Sequence, residues 1–263
     1  MSIYPYFCLP MAASVTTVGN ELAIAPTSNA LNDEYALVWR TSSLTNTFVV
    51  LDLGSAQSVD TVALIFNNLR STDTVRVRSG TTAANTTAAP ISDTTFNAFT
   101  GSKNPDARTQ TICDLPATYS ARYWRIDITA TGHPDGFVQV ARILIGMSVY
   151  MAEGMDIDAS RIMKENSVSY EGPAYQDVDE YMNYSGWSCT MSLIDGTLWR
   201  DTVFPFLLKV GVNRRCVLFV PQPLVPTTWQ NEVVYGRMTK LIEGQQRVHN
   251  AWWCDISIMG IGI

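Results

Sequence analysis

Histidine is almost missing from this chain: His133 and His249 are the two in 263 residues. Neither lies in a His-Glu-x-x-His pair, and neither a Gly-x-Ser-x-Gly elbow nor a phosphate-binding loop occurs. The motif-borne chemistry of zinc hydrolases, α/β-hydrolases and P-loop enzymes is thereby excluded. No catalytic residue, metal site or cofactor is expected.

Charge is also scarce, at 16% of residues, and its balance is acidic, with a net charge of −6 and a pI near 4.9. Specific nucleic-acid binding needs a basic face that displaces counterions, so it is not expected. An acidic or neutral wall remains compatible with a conduit through which DNA slides. No apolar run approaches the ~20 residues of a membrane helix, which predicts no membrane insertion. The opening Met1-Ser-Ile-Tyr-Pro-Tyr-Phe7 carries neither Lys nor Arg nor an apolar h-region. That predicts synthesis and folding in the cytoplasm without a signal peptide.

Cys8, Cys113, Cys189, Cys216 and Cys254 are odd in number and form no Cys-x-x-Cys pair. A zinc site or disulfide framework needs closer or paired spacing. They read as reduced, small core hydrophobes.

What the chain does have is strand signal. At 46% hydrophobic it is a packed chain, long enough for one large β domain or two ordinary ones. Val75-Arg-Val-Arg78 and Trp124-Arg-Ile-Asp-Ile128 alternate with period two, which turns Val75, Val77, Trp124, Ile126 and Ile128 inward. Val62-Ala-Leu-Ile-Phe66 is an unbroken run expected to be buried on both faces. Val138 and Val140 have one parity and Ile143 and Ile145 the other, which a bulge at Ala141-Arg142 would reconcile. The Thr/Ala/Ser/Asn-rich stretch between residues 79 and 111 suits loops and short edge strands. It is internal, because strand signal resumes after it.

A boundary is expected near residues 147–155, giving domains 1–150 and 151–263. Past it comes an acidic stretch, 153–180, read as loop and expected to order against a neighbour. In Ser188-Cys-Thr-Met-Ser-Leu-Ile194, Cys189, Met191 and Leu193 are expected to face inward. Asp195-Gly196 makes a turn and Thr197 caps a helix that ends at Gly211, with Pro205 forcing a kink or two pieces. Strands follow at Cys216–Val220, Val233–Gly236 and Trp252–Ile258. Trp252 and Trp253 must point to opposite faces of theirs.

Trp39-Arg-Thr-Ser42, Phe48-Val-Val-Leu-Asp-Leu-Gly54, Tyr123-Trp-Arg-Ile-Asp-Ile128 and Arg142-Ile-Leu-Ile-Gly146 occur in this order. Across residues 12–148 the order resembles the galactose-binding-like jelly roll of discoidin and coagulation factor 5/8 C-terminal domains. The fold class expected is all-β: an N-terminal galactose-binding-like jelly-roll β-sandwich, then a small, tail-tube-like C-terminal β domain with one short helix. The resemblance implies a ligand at the loops of one end, here around Asn32–Trp39, Asn67–Arg70 and His133–Phe137. Tyr35, Asn67, Asn68, Arg70, His133 and Asp135 are the candidate glycan-binding residues. Planar amides and a guanidinium supply paired hydrogen bonds, and an aromatic ring gives a face to stack on.

Each candidate has a plainer reading. Trp39 is weighed as aromatic floor or as core against Asp52-Leu-Gly54, with core ahead, and His133 as a solvated turn residue. Arg125 and Arg142 are read as ion-pair partners of carboxylates such as Asp52 and Asp127. Relatives hold calcium through an acid before the last strand. Ala141-Arg142 stands there, so a site built on Asn29, Asn32 and Asp33 is incomplete. The carboxylate groups Asp156/Asp158 and Asp177/Asp179/Glu180 read as solvated or subunit-contacting rather than as a glycosidase pair.

A helix with Trp199 and Phe206, then Val217-Leu-Phe-Val220, Tyr235-Gly-Arg237 and a closing Trp253-x-x-x-Ser257, is similar to the terminal part of long-tailed bacteriophage distal-tail and minor-tail proteins. That resemblance implies a structural tail-tip protein of the virion, made in the host cytoplasm. It would form a homo-oligomeric ring (hexamer ahead of trimer) around the DNA channel, with tail-tube, tape-measure and hub proteins as partners. The jelly roll would face outward toward a host-surface glycan. Trp229 and Trp253 are the candidate interface residues. The alternative is a carbohydrate-binding, lectin-like module with no ring-forming role.

Overall fold

Alternation turns into pairing along the first half of the chain. The computed structural model describes residues 4–104, 107–151, 155–156, 158–173, 175–179, 183–240 and 243–261. Two compact units are formed, Met1–Tyr150 with Val220–Val233, and Met151–Phe219 with Val234–Ile263. The protein is predominantly β-sheet, with two sheet-rich regions and short helices.

The first unit contains β1 (Tyr6–Cys8), β2 (Ser14–Val18), β3 (Trp39–Arg40), β4 (Phe48–Asn67), β5 (Thr74–Gly80), β6 (Ser92–Asn97), β7 (Thr109–Thr129), β8 (Gln139–Gly146) and β9 (Ser148–Tyr150). Their order is β3-β8-β4-β7-β5-β6, with β2 on β4 and β1 antiparallel to β9. β4 and β7 are long and pair with register shifts at Asp52/Gln57, Val59/Thr61 and Leu64/Asn67. Such irregularities let one strand bend and contribute to a curved, closed core. Val75, Val77, Trp124 and Ile126 are fully buried and Ile128 nearly so, as their alternation requires. Each such side chain contributes about 1.5–3 kcal/mol relative to exposure. Residues 62–66 are buried throughout. Between residues 79 and 111, the edge strand β6 pairs with β5 and a single helical turn forms at Asn85–Ala88.

Val138, Val140, Ile143 and Ile145 do share one core cluster, but the expected bulge lies elsewhere. β8 pairs with β4 without a register shift. The irregular residue is Phe66 of β4, with φ of 53°, at the Leu64/Asn67 shift against β7. Gly146 ends β8 where a Cβ would meet Leu9 O at 2.6 Å and Cys8 Sγ at 2.7 Å. Only glycine lets the N-terminal segment lie that close.

The second unit contains β10 (Ser160–Lys164), β11 (Val168–Gly172), β12 (Tyr175–Asp179), β13 (Tyr184–Asp195), β14 (Cys216–Val220), β15 (Val234–Met238), β16 (Gly244–Val248) and β17 (Ala251–Gly260). Its sheet runs β10-β13-β17-β15-β14, with β16 on β17, and β11 pairs with β12 as a separate hairpin. The acidic stretch is therefore not a loop: β10, β11 and β12 fall in it. Glu180 lies outside the described residues.

Leu193 does not face inward. A register shift between Met191 and Ile194 accompanies a φ of 55° at Leu193. It leaves Leu193 53% exposed and turns Ile194 into the core. The helix cap is Asp195 rather than Thr197: its carboxylate accepts from Thr197 N at 2.8 Å and Leu198 N at 3.4 Å. Helical backbone then runs through Gly196–Leu198, a π-type segment Trp199–Val203 and Phe204–Val210. The wide π turn precedes Pro205, which lacks the N–H a regular helix would need there. Gly211, with φ of 63°, closes it by donating to Leu207 O at 2.9 Å. Trp199 stacks on Trp252 of β17, with ring centroids 5.1 Å apart.

All five cysteines are free and buried. No helix among the described residues is long and apolar enough to cross a membrane.

Candidate functional site

An open cleft of about 460 Å³ lies where the β4–β5 loop, the β6–β7 loop and the β7–β8 loop of the first unit meet. It brings together Asn67, Asn68, Arg70, His133 and Asp135 of the expected set, and adds Ser71, Phe99, Lys103, Arg108 and Pro134. Residues from positions 67 to 135 converge because β4, β5 and β7 hold their loop ends at one edge of the sandwich.

Most of the expected polar groups are spent on the protein itself. Asn67 is buried; its amide donates to Leu64 O at 2.7 Å and Thr111 Oγ1 at 3.1 Å, and its carbonyl accepts from Leu69 N. It thereby holds the irregular turn around Phe66. Asn68 donates to Asp135 Oδ2 at 2.8 Å and Phe137 O at 3.1 Å, and accepts from Gln139 N at 2.8 Å. Arg70 is paired with the buried Asp73 at 2.7 Å and reaches Thr131 O and Gly132 O at 3.0 and 3.2 Å. It pins two loops together with the donors a ligand would need.

His133 is not a solvated turn residue, being 6% exposed. Nε2 lies 2.7 Å from Asn68 O, which it can only meet as a donor, and Nδ1 accepts from Asp135 N at 3.2 Å. Those partners define the neutral Nε2–H tautomer. Tyr35 is half-buried, edge-on to Phe66 with centroids 6.3 Å apart, and does not line the cleft. Trp39 lies in the core, 0% exposed, its indole N–H without a hydrogen-bond partner.

Of the expected set, Asp135 is still available to a ligand, and Arg108 and Phe99 join it. Arg108 is exposed and makes no ion pair among the described residues. Asp135 is exposed, and its Oδ1 takes no hydrogen bond from a described residue. Phe99 is half-buried against the core and offers an aromatic wall, beside Pro134. Phe99 and Arg108 sit in the polar stretch read as loops and short edge strands. An aromatic and a cation inside a Ser/Thr/Gly/Asn-rich segment were the signal that could have found them.

The ion pairs are rearranged from expectation. Arg125 does pair with Asp127, at 2.8 Å. Asp52 pairs instead with Arg122, also at 2.8 Å, and this bidentate contact pulls its carboxyl down to about 2. Arg142 pairs with Asp33 at 3.2 Å and approaches Ala30 O at 3.4 Å. Asn29 donates to Val38 O and Asn32 accepts from Glu34 N. Of the oxygens considered for calcium, that of Asn32 is thus held by a backbone N–H and that of Asp33 by a guanidinium.

Trp229 is interior to the first unit, 7% exposed, donating to Gln222 O at 2.9 Å. Trp253 is half-buried, with the Arg247 guanidinium 5.6 Å from its ring. In the second unit a cleft of about 280 Å³ is lined by Asp158, Glu243, Asp255 and Lys240. Asp156 accepts from Ser192, and Asp177 and Asp179 lie on the exposed hairpin. Among the described residues no three His, Cys, Asp or Glu side chains are grouped to hold a metal ion.

No family model matches the chain, and no curated protein does. Among solved structures, the chain is similar to CBM32-1 from a family 31 glycoside hydrolase of Clostridium perfringens. That match has 12% identity and a TM-score of 0.39, over 52% of this chain and 96% of that one. It is similar to the family 32 CBM of C. perfringens NanJ in complex with galactose, with 17% identity, 53% and 98% coverage and a TM-score of 0.37. It is also similar to chitosan-binding module 1 from a chitosanase/glucanase of Paenibacillus sp. IK-5, with 19% identity, 52% and 95% coverage and a TM-score of 0.37.

Proposed function

We propose that the first unit is a carbohydrate-binding module whose site is the cleft between Phe99, Arg108 and Asp135. The observation that carries this reading is the combination of an aromatic wall, a cation and a carboxylate that are not consumed by the fold, facing one open cleft. A pyranose needs an apolar face to stack on and a few directed polar groups. Asn67, Arg70 and His133 build the frame. A glycan array screened with the full chain, followed by titration of the strongest hit, tests it. Phe99→Ala and Arg108→Ala should each weaken binding about tenfold or more; an array with no hit, or hits indifferent to both substitutions, defeats the reading.

A second reading is a phage tail-tip component, with the second unit assembling into a homo-oligomeric ring in the virion beside tube, tape-measure and hub proteins. One observation favours it. Val168 and Tyr170 of the β11–β12 hairpin are 43 and 50% exposed, across from Asp179 and Asp177. Phe204, Leu208 and Val212 are 46, 61 and 38% exposed beside Arg200, Lys209, Arg214 and Arg215. An acidic-apolar and a basic-apolar surface on one chain are what head-to-tail closure needs. Light scattering on the full chain should give a multimer that Tyr170→Lys and Leu208→Glu each dissociate; a monomer at high concentration removes this reading.

A further inference from the structure

A second cleft of the first unit, about 160 Å³, is chemically unlike the first. Its walls are Phe96, Phe99, Ile112, Pro226 and Trp229, and no Lys, Arg or His lines it. Two oxygen acceptors belong to its lining residues and lack partners among the described residues. Gln110 Oε1 is buried with no hydrogen-bond partner. Asp114 gives one carboxylate oxygen to the Tyr6 hydroxyl and leaves the other without a described donor. The nearby amide of Gln230 is not available, since it is bonded to the Gln110 backbone on both sides.

An unsatisfied buried acceptor such as Gln110 Oε1 costs about 1–3 kcal/mol, so a donor at this cleft is favoured. Aromatic faces carry negative potential and attract cations. A carboxylate adds to it, and around Asp114 the buried Asp60 and the charged amino terminus act in opposite senses. Neutral hydroxyls would answer the acceptors but gain nothing from the rings. An ammonium answers both.

We infer that this cleft binds a small organic amine, its apolar body against Phe96, Phe99 and Trp229 and its ammonium on Gln110 Oε1 and Asp114. The site is independent of the proposed glycan cleft, which carries the cation Arg108, although Phe99 forms a wall of both. Burial raises the Asp114 carboxyl to about 6, which still leaves it ionised at pH 7.5.

The test is NMR titration of the full chain at pH 7.5 with cyclohexylammonium, and with cyclohexanol as its neutral isostere. Cyclohexylammonium should shift the Trp229 indole and Gln110 amide resonances saturably, with cyclohexanol about tenfold weaker. Asp114→Asn, which keeps an acceptor for Tyr6, should weaken the amine about tenfold. Asn97→Lys places a cation at the exposed rim without touching the core and should weaken it as well. Arg108→Ala should change nothing. Equal affinity for the alcohol, or indifference to Asp114→Asn and Asn97→Lys together, overturns the inference. Loss on Arg108→Ala alone also overturns it, while leaving the glycan reading intact.

Discussion

The side-chain amide of Gln230 bonds both backbone polar groups of Gln110. Gln110 N donates to Gln230 Oε1 at 3.0 Å, and Gln230 Nε2 donates to Gln110 O at 2.5 Å. A side chain from Trp229–Glu232 thus takes the place of a neighbouring strand along β7, 120 positions away in sequence. Gln230→Ala would leave two partly buried backbone groups unpaired. It should lower unfolding free energy by about 2–3 kcal/mol, measured by urea denaturation. Gln230→Glu keeps the acceptor alone and should fall between.

Asp114 gives the protein an acid-side stability gain. Its carboxyl is raised from 3.8 to about 6 by burial first, with the Tyr6 hydroxyl opposing the shift, Asp60 adding to it and the charged amino terminus opposing it. The folded state therefore holds this proton between roughly pH 4 and 6 while the unfolded chain has released it. The contribution is complete below the unfolded value and is lost as pH rises through about 6. Relative to Asp114→Asn, the wild type should gain on the order of 3 kcal/mol on going from pH 7.5 to pH 3.5. Parallel stability-versus-pH curves would show that the proton is not taken up here.

Arg142 holds the turn at Ala30–Asp33 from a position 8% exposed. Arg142→Ala should cost about 2–3 kcal/mol, because it removes a buried stem together with its ion pair to Asp33. With a guanidinium already on Asp33, millimolar calcium should leave the wild-type melting temperature unchanged. A calcium-dependent rise would show that the turn takes a metal despite Arg142.

Asp195 caps the helix that carries Trp199, and it also accepts from Asn250 Nδ2 at 2.7 Å. Asp195→Ala should lose about 1–2 kcal/mol, whereas Thr197→Ala should lose less than about 0.5 kcal/mol. Equal losses would return the cap to Thr197.

Within the glycan cleft, framework and contact residues should separate. Arg70→Ala unpairs the buried Asp73 and should lower stability by about 2–4 kcal/mol. Arg108→Ala, at an exposed position without an ion pair among the described residues, should leave the melting temperature within about 2 °C while weakening glycan binding. The two effects are read by calorimetry and by titration of the array hit.

The strand content was legible because burial sorts side chains locally. Val75/Val77 and Trp124/Ile126/Ile128 show their inner face at spacing two, and residues 62–66 show burial on both faces. The expectations about strand faces that failed were set by single backbone irregularities. Leu193 and Phe66 both take positive φ without being glycine, and one such residue reverses the parity of everything beyond it. The acidic composition of 153–180 suggested loop, yet strands there can be polar on exposed faces, as β11 is.

The candidate site was legible as a place more than as a list of contacts. Three separated segments were expected at one end, and the structure brings Asn67–Arg70 and His133–Asp135 to one cleft. Residue type alone did not reveal that Arg70 is committed to Asp73, Thr131 and Gly132, or that Arg108 is not committed.

The sequence by itself determined an all-β chain with reduced, buried cysteines and two strand-rich regions, because hydrophobic period and residue chemistry act over a few neighbouring positions. Only the tertiary structure decided that Val220–Val233 belongs with the first unit, that Asp33 rather than Asp52 or Asp127 meets Arg142, and that Gln110 keeps an unpaired oxygen in the lining of an aromatic cleft it shares with Asp114. Those outcomes depend on which groups become hydrogen-bond partners across scores of residues, and a pairing energy between distant groups leaves no local periodicity to read.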